Sequence, residues 1–341
     1  MSDISFEYNV PVFAGAPIDG TEPTHRDTPA YESLDWATTR EGVETAETLG
    51  FDAAWVPDHL MLGRDHAEYE CWTLLSAMAG FTEDINIGSL VLCNDYRNPA
   101  LVGKMAATLD VISEGRLELG LGAGWHEREY DAYGWEYRDG FERLLRLDEA
   151  IRLIKQLWDS GADGAQFDGD HYRIENAYCT PGPFQEPHPP ILVGGQGEDV
   201  TLKLVAKHAD IWNTDVFNGD VDTLERKINV IEAHCETVDR DPDEIEYSWD
   251  GHILCTRDEE KLDRLLDLMT PIQFEESYTD RPDITRDNAD EYFIIGTPEE
   301  CAAAIERRID AGVEKFMGWF VDFPDTHGME LFADDVIPQF R

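Results

Sequence analysis

The sequence predicts an α/β fold: a (β/α)8 TIM barrel with loop insertions at the face where its strands end. Three observations lead there. Short β-type runs alternate with longer helical patterns over nearly all of the 341 residues. Eight such runs can be read, enough to close a parallel barrel. The stretch Ile85–Trp135 holds a complete βαβ unit whose strand ends carry glycines and a polar aromatic cluster. Parallel barrels build their active sites on the loops that follow such ends.

The strand runs, in order, are Ile4–Pro11, Ala53–Val56, Ile85–Leu92, Leu117–Gly122, Pro190–Gly194, Ile211–Asn213, Ile245–Leu254 and Lys315–Phe320. Helical spacing lies between them. Leu101, Met105, Leu109 and Ile112 share one predicted face after Pro99. Phe141, Leu144, Leu145, Ile151, Ile154 and Trp158 mark the next helix, and Leu224, Ile228, Ile231 and Cys235 another. Thr297-Pro298-Glu299-Glu300 reads as a helix start, with Thr as N-cap, Pro at the first position and Glu closing a capping box. Two segments depart from the alternation. Residues 161–189 are rich in Gly, Pro and aromatics, and 270–294 are acidic with weak periodicity. Long irregular loops in compact domains are usually functional, so both are expected to fold over the barrel mouth. Residues 1–341 are expected to form one domain.

Composition narrows the class. There are 72 Asp and Glu against 27 Lys and Arg, a formal net charge of −45, with the acids spread through every segment. At low salt such a surface repels itself; at about 1 M salt the screening length falls to about 3 Å and the penalty largely disappears. The expectation is a salt-adapted, cytoplasmic protein. Nucleic acid is excluded as a partner because phosphate binding needs a basic face. No run approaches the roughly 18 apolar residues of a membrane span, and the start MSDISFEYNVPVF does not read as a secretory signal. Six cysteines without C-x-x-C spacing read as reduced thiols.

Four segments could carry chemistry. Trp55-Val56-Pro57-Asp58-His59-Leu60 puts a carboxylate and an imidazole at a strand end; an imidazole with pKa near ~6.5 exchanges protons at neutral pH. The plainer reading is a hydrogen-bonded Asp-His turn. Gly88 to Asn94, followed by Asp95-Tyr96-Arg97-Asn98-Pro99, is a buried strand and a proline-started helix, with Leu90 and Leu92 as packing residues. Gly120-Leu121-Gly122-Ala123-Gly124 has G-x-G-x-G spacing instead of the dinucleotide G-x-G-x-x-G, so it argues for close approach of Trp125 to a ligand and not for a Rossmann loop. Gly194-Gly195-Gln196-Gly197 precedes a helix start, which is either an anion-binding loop or a tight turn. His126-Glu127-Arg128-Glu129 lacks the second histidine of a zinc hydrolase, and no metal site is expected.

Taken in order, WVPDHL, GSLVLCNDYRNPALVGKMAATLDVISEGRLELGLGAGWHEREYDAYG, FDGDHYRIENAYCTPGPFQEPHPPILVGG, EDVTLKLVAKHADIWN and HCETVDRDPDEIE resemble the luciferase-like flavin and deazaflavin oxidoreductases, and most closely the branch that depends on coenzyme F420. The resemblance spans nearly the whole chain. It implies a bacterial luciferase-like barrel with a flavin-like ring at its mouth. It implies that Asp58 and His59 flank the ring, with His59 as proton donor or acceptor. A non-proline cis peptide would fall near Leu90-Val91, with Leu92 and Asn94 beside it. Gly194, Gly195 and Gln196 match the phosphate loop, with Thr214 adding a hydroxyl. Trp125 would face the reacting ring, where F420-dependent members can carry a carboxylate, and this departure puts in doubt any mechanism needing an acid there. The favoured reading is hydride transfer with F420 to a small organic substrate. The rival is FMN with oxygen in a monooxygenase served by a separate reductase. A non-catalytic flavin-binding barrel is the third. Asp-His in place of the Glu-His-His run of luciferases favours F420. Members of the family are often homodimers.

Overall fold

A computed structural model describes residues 4–14, 31–63, 66–161, 163–214, 219–270 and 284–341. Eight parallel strands close into a barrel: β1 (Ser5–Asn9), β2 (Ala53–Val56), β3 (Asn86–Ser89), β4 (Leu117–Gly122), β5 (Ile191–Gly194), β6 (Ile211–Asn213), β7 (Glu246–Cys255) and β8 (Lys315–Phe320). Each pairs in parallel with the next, and β8 returns to β1 with Ser5 opposite Lys315. All eight expected strands are present, within a few residues at their ends. A short extra strand, Ile294–Gly296, extends the sheet beside the end of β7.

Strand alternation explains the two cores. On β2, Ala53 and Trp55 point into the barrel with Leu192, Ile211 and Met317, while Ala54 and Val56 face the surrounding helices. Trp55 fills the interior only because its neighbour is glycine: a Cβ at Gly88 would lie 2.2 Å from the indole. Below the indole, Lys315 sits 2.9 Å from Glu7 and 3.7 Å from Glu118, and Trp55 Nε1 donates to Glu7 at 2.6 Å. These groups plug the barrel floor with paired charge.

The helices mostly follow their periodicity. Leu224, Ile228, Ile231 and Cys235 are buried on Val221–Val238, and the Thr297 capping box is formed at the start of Pro298–Asp310. On Pro99–Ile112 the buried stripe is rotated by about one residue from the expected one. Val102, Gly103, Ala106, Ala107 and Leu109 face inward, while Leu101 and Ile112 are exposed. Small residues set this. A Cβ at Gly103 would sit 3.1 Å from Leu157, so the glycine edge, not the leucine edge, lets this helix approach Gly140–Asp159. Phe141 and Leu145 of that second helix are likewise exposed, while Ile151, Ile154 and Trp158 are buried.

The segment 161–189 does not line the mouth. It forms a hairpin, Ala165–Asp168 with Arg173–Ala177, and then runs down the outer wall, where Asp110 accepts hydrogen bonds from Phe184 N and Gln185 N. Only its tip reaches the strand ends, through Tyr172. Of 270–294, residues 271–283 lie outside the described residues; the remainder packs Ile284, Ala289 and Phe293 against Leu254 and Leu265. The six cysteines are all buried and unpaired, and no helix of the described residues is long and apolar enough to cross a membrane.

Candidate active site

The strand ends enclose one deep cavity of about 440 Å³ at the barrel mouth, within the range of small-ligand sites. Five of the strand ends supply most of its lining. β2 contributes Asp58 and His59; after β3 the chain bulges inward through Leu90 and Val91, joined by a cis peptide bond. The chain then re-pairs as Leu92–Cys93 alongside Leu121–Gly122. β4 contributes Gly122 to His126, β5 Gly194 and Gly195, and β6 Asn213 and Thr214. The floor under the cavity is Val91, and it is admitted by glycine: a Cβ on Gly122 would stand 2.5 Å from Val91 and one on Gly194 3.2 Å. Phe13, Trp125 and Trp319 make aromatic walls. A flat ring with apolar faces fits such a slot.

His59 is the cavity's titratable centre. Its Nδ1 lies 2.9 Å from Glu129 Oε2. Glu129 is fully buried and accepts three further bonds, from Tyr96 OH (2.9 Å), Leu60 N (2.5 Å) and Met61 N (3.0 Å). A carboxylate only accepts, so Nδ1 carries the proton and Nε2 is the nitrogen left for chemistry. Burial works against the imidazolium, but the hydrogen bond and charge of Glu129 outweigh it and lift His59 to about 9. Burial likewise opposes the Glu129 carboxylate, yet His59 and the donors of Leu60 and Tyr96 hold it at about 2. Nearby Glu68 is pushed by burial up to about 8. The Cys93 thiol faces the cavity, 3.1 Å from Tyr130 OH, and burial raises it to about 12, so it is no nucleophile at neutral pH.

The remaining expected residues divide. Leu90, Val91, Trp125, Gly194, Gly195 and Thr214 line the cavity. Trp125 meets His59 edge-on with ring centroids 5.3 Å apart. Asp58 lies at the wall, but its carboxylate is consumed: Arg97 grips both oxygens at 2.7 and 2.8 Å, and Cys93 N donates at 2.8 Å. It braces the chain just beyond the bulge and is not placed as a proton carrier. Three residues fall outside the lining. Leu92 turns outward into the helix-facing core, because side chains alternate once the strand resumes pairing. Asn94 begins a 3-10 turn away from the mouth and donates to Tyr172 OH at 3.0 Å. Gln196 lies behind the glycine loop, its carbonyl accepting from Lys227 at 2.9 Å.

Several partners were invisible in the sequence reading. Glu129 and Tyr96 complete the His59 cluster and Arg97 pins Asp58. Thr201, at the start of the helix Thr201–His208, and Arg143, which brings a cation, also line the cavity. The Arg143 guanidinium lies over Tyr137 at 4.2 Å and bonds the carbonyls of Gly124 and Arg138. Among the described residues it has no carboxylate partner, in a chain with 72 acids. The N–H of Gly195 is spent on Asn213 O. Thr201, Thr214 and Arg143 are therefore side-chain donors on hand for an anionic cofactor group. The only sequence signal for Glu129 was its place among the aromatics of WHEREYDAYGW.

Comparison with known proteins agrees with this fold. The family model for luciferase-like monooxygenases matches residues 20–315. An F420-dependent glucose-6-phosphate dehydrogenase from Amycolatopsis mediterranei is 27% identical over 312 residues, 87% of this chain and 92% of that protein. Among solved structures, an F420-dependent secondary alcohol dehydrogenase in complex with an F420-acetone adduct superposes with TM-score 0.76 at 23% identity, covering 99% of both chains. A long-chain alkane monooxygenase superposes with TM-score 0.77 at 16% identity, covering 99% of this chain and 91% of that one.

Proposed function

The chain belongs to the luciferase-like monooxygenase family, and from that premise we propose that it is an F420-dependent oxidoreductase moving hydride between a deazaflavin and a small organic substrate. The observation that carries this reading is the cavity itself. An apolar slot floored by Leu90-Val91 holds at its edge the imidazole of His59, whose Nδ1 is engaged by Glu129 and whose Nε2 is left for proton transfer. Relatives named for F420 chemistry support it, including one aligned over most of both chains. When bound, the deazaflavin supplies or takes a hydride at its ring. The chain's own residues do the rest. Leu90, Val91 and the aromatic walls exclude water and hold the ring flat, Arg143 and Thr201 hold its anionic side chain, and His59 Nε2 moves the proton. General acid–base help of this kind contributes roughly 10²–10⁴-fold.

FMN is the second reading, as cofactor of a monooxygenase fed by a separate reductase. It is favoured by Trp125, which leaves no carboxylate at that wall, and the Arg143–Thr201 pair suits a flavin phosphate equally well. Titration of the protein with F420 and with FMN in concentrated KCl, followed by fluorescence, separates the two. Tighter binding of F420 is expected. Preference for FMN reverses the cofactor assignment, and binding of neither removes the enzymatic reading.

A further inference from the structure

We propose that Glu129 is a positioning residue which, with Tyr96, stations His59 as a proton donor toward the cavity, so that the resting site is set to reduce a polarised double bond. The proposal rests on the oxidoreductase reading above but extends it to a direction and a substrate class.

The geometry is the argument. One oxygen of Glu129 takes both the His59 Nδ1–H and the Tyr96 hydroxyl, each at 2.9 Å. The other takes the backbone N–H groups of Leu60 and Met61. Four donors fix a buried carboxylate whose charge then has one partner able to answer it, the imidazolium of His59. Tyr96 is held in turn by stacking on Trp135, with centroids 4.4 Å apart and planes 16° apart. The ring of His59 cannot turn over without losing the Glu129 bond, so the second proton of the imidazolium sits on Nε2. The other charged or titratable groups around the ring are accounted for. Asp58 is held by Arg97, which Glu70 also grips, and its charge adds to that of Glu129 in favouring the imidazolium. Glu68, in the loop before the helix Cys71–Phe81, is pushed up to about 8 by burial, and its charge, where present, also favours the imidazolium. His126 meets the ring edge-on at 6.0 Å.

A site that rests with its proton in place suits a carbonyl, an imine or an activated alkene. A bound reduced deazaflavin would supply the hydride that forms the new C–H bond as the π bond breaks, and would be left oxidised with its ring N–H proton released to solvent. The electron pair moves to the oxygen, nitrogen or carbanion carbon, which takes the Nε2 proton. His59 is left neutral and is reprotonated from solvent. Oxidation of an alcohol would require His59 to lose its proton first.

The test begins without cofactor, by following histidine ring resonances of the full chain against pH. His59 should titrate near 9; in Glu129→Gln it should fall to 6.5 or below, and Glu129→Asp should recover part of the shift. Tyr96→Phe should move it the other way, upward, because Glu129 loses a donor that stabilises its charge. That opposite sign keeps the test decisive if Glu129→Gln does not fold. Unshifted titration in the foldable variants overturns the proposal. With reduced F420 and cyclohex-2-enone as probe, kcat/KM should decline above the His59 titration and the decline should move to lower pH in Glu129→Gln. A rate that rises through that range makes His59 a base and also overturns it. A protein whose His59 titrates as expected but which binds neither F420 nor FMN keeps the Glu129–His59 pair and removes the oxidoreductase reading instead.

Discussion

Asp58 and His59 are adjacent in the chain yet perform different work, because their surroundings differ. His59 keeps one nitrogen toward the cavity. Asp58 gives both oxygens to Arg97 and one also to the N–H of Cys93. Replacing Asp58 by Asn should therefore look structural. Breaking one side of a buried pair costs about 3–5 kcal/mol, so thermal unfolding should move down by several degrees and cofactor affinity should weaken with it. An unchanged melting temperature would contradict the bracing role. The His59–Glu129 pair gives a pH signature of its own. Glu129 is depressed from its ordinary 4.5 to about 2, so its contribution to stability is present above 4.5 and lost as pH falls toward 2. His59 is raised from 6.5 to about 9, so its contribution is complete below 6.5 and lost as pH climbs through 9. The difference in melting temperature between wild type and Glu129→Gln should thus be greatest between pH 4.5 and 6.5 and should shrink on both sides.

Strand β4 shows how an element makes room for the site. Its sequence L-E-L-G-L-G places Gly120 opposite the bulge after β3, where a Cβ would lie 1.9 Å from the carbonyl oxygen of Ser89. Ser89 Oγ also bonds both polar groups of Gly120, at 2.9 and 3.1 Å. Backbone stands against backbone there, and no rotamer change can relieve a methyl group. Gly120→Ala is expected to cost more than the roughly 1–3 kcal/mol of ordinary overpacking and to push Leu90-Val91 into the cavity. Denaturant unfolding and F420 affinity should both report it; a variant with wild-type values in both would show that the close approach is dispensable. The glycines of this strand resemble a dinucleotide motif in the sequence, and the barrel shows their other use, which is strand contact.

For the molecule as a whole, charge dominates. With a net charge of −45, self-repulsion should be relieved by salt, because the screening length shortens from about 10 Å at 0.1 M to about 3 Å at 1 M. The melting temperature should rise steeply between those concentrations, and F420, itself an anion, should bind more tightly from about 0.5 to about 3 M KCl. Flat responses would remove the salt-adapted reading. One face escapes the acidity. The neighbouring helices Cys71–Phe81 and Pro99–Ile112 expose Thr73, Ser76, Ala77 and Gly80 on one and Leu101, Thr108, Val111 and Ile112 on the other, and the charged residue among them, the half-buried Lys104, is basic. A second copy of so acidic a chain can approach closely through such a face, and a two-fold axis would set it against itself. We therefore expect a homodimer in high salt. Sedimentation should find it, and Ile112→Lys should dissociate it; a wild-type monomer under those conditions would dismiss this pairing.

Periodicity made the barrel legible, since strand and helix patterns are local and each run needs only its own residues to declare its type. The order Asp58-His59 and the glycine loop were likewise readable from short motifs, while the cis bond near Leu90-Val91 was implied only by the family resemblance. The roles within the site were not. His59 meets Glu129 across 70 residues and Asp58 meets Arg97 across 39. Nothing local distinguishes an acid that will be buried against an imidazole from one that will face solvent. The same reason misplaced Leu92, Asn94 and Gln196, and the buried stripe of Pro99–Ile112. Each depends on what approaches from elsewhere in the chain: a strand resuming its pairing, a turn, or a glycine edge that lets a helix come near. The chain alone determined the eight barrel strands and the helices between them; packing among distant segments decided which side chains share the cavity and which of them is left holding a proton.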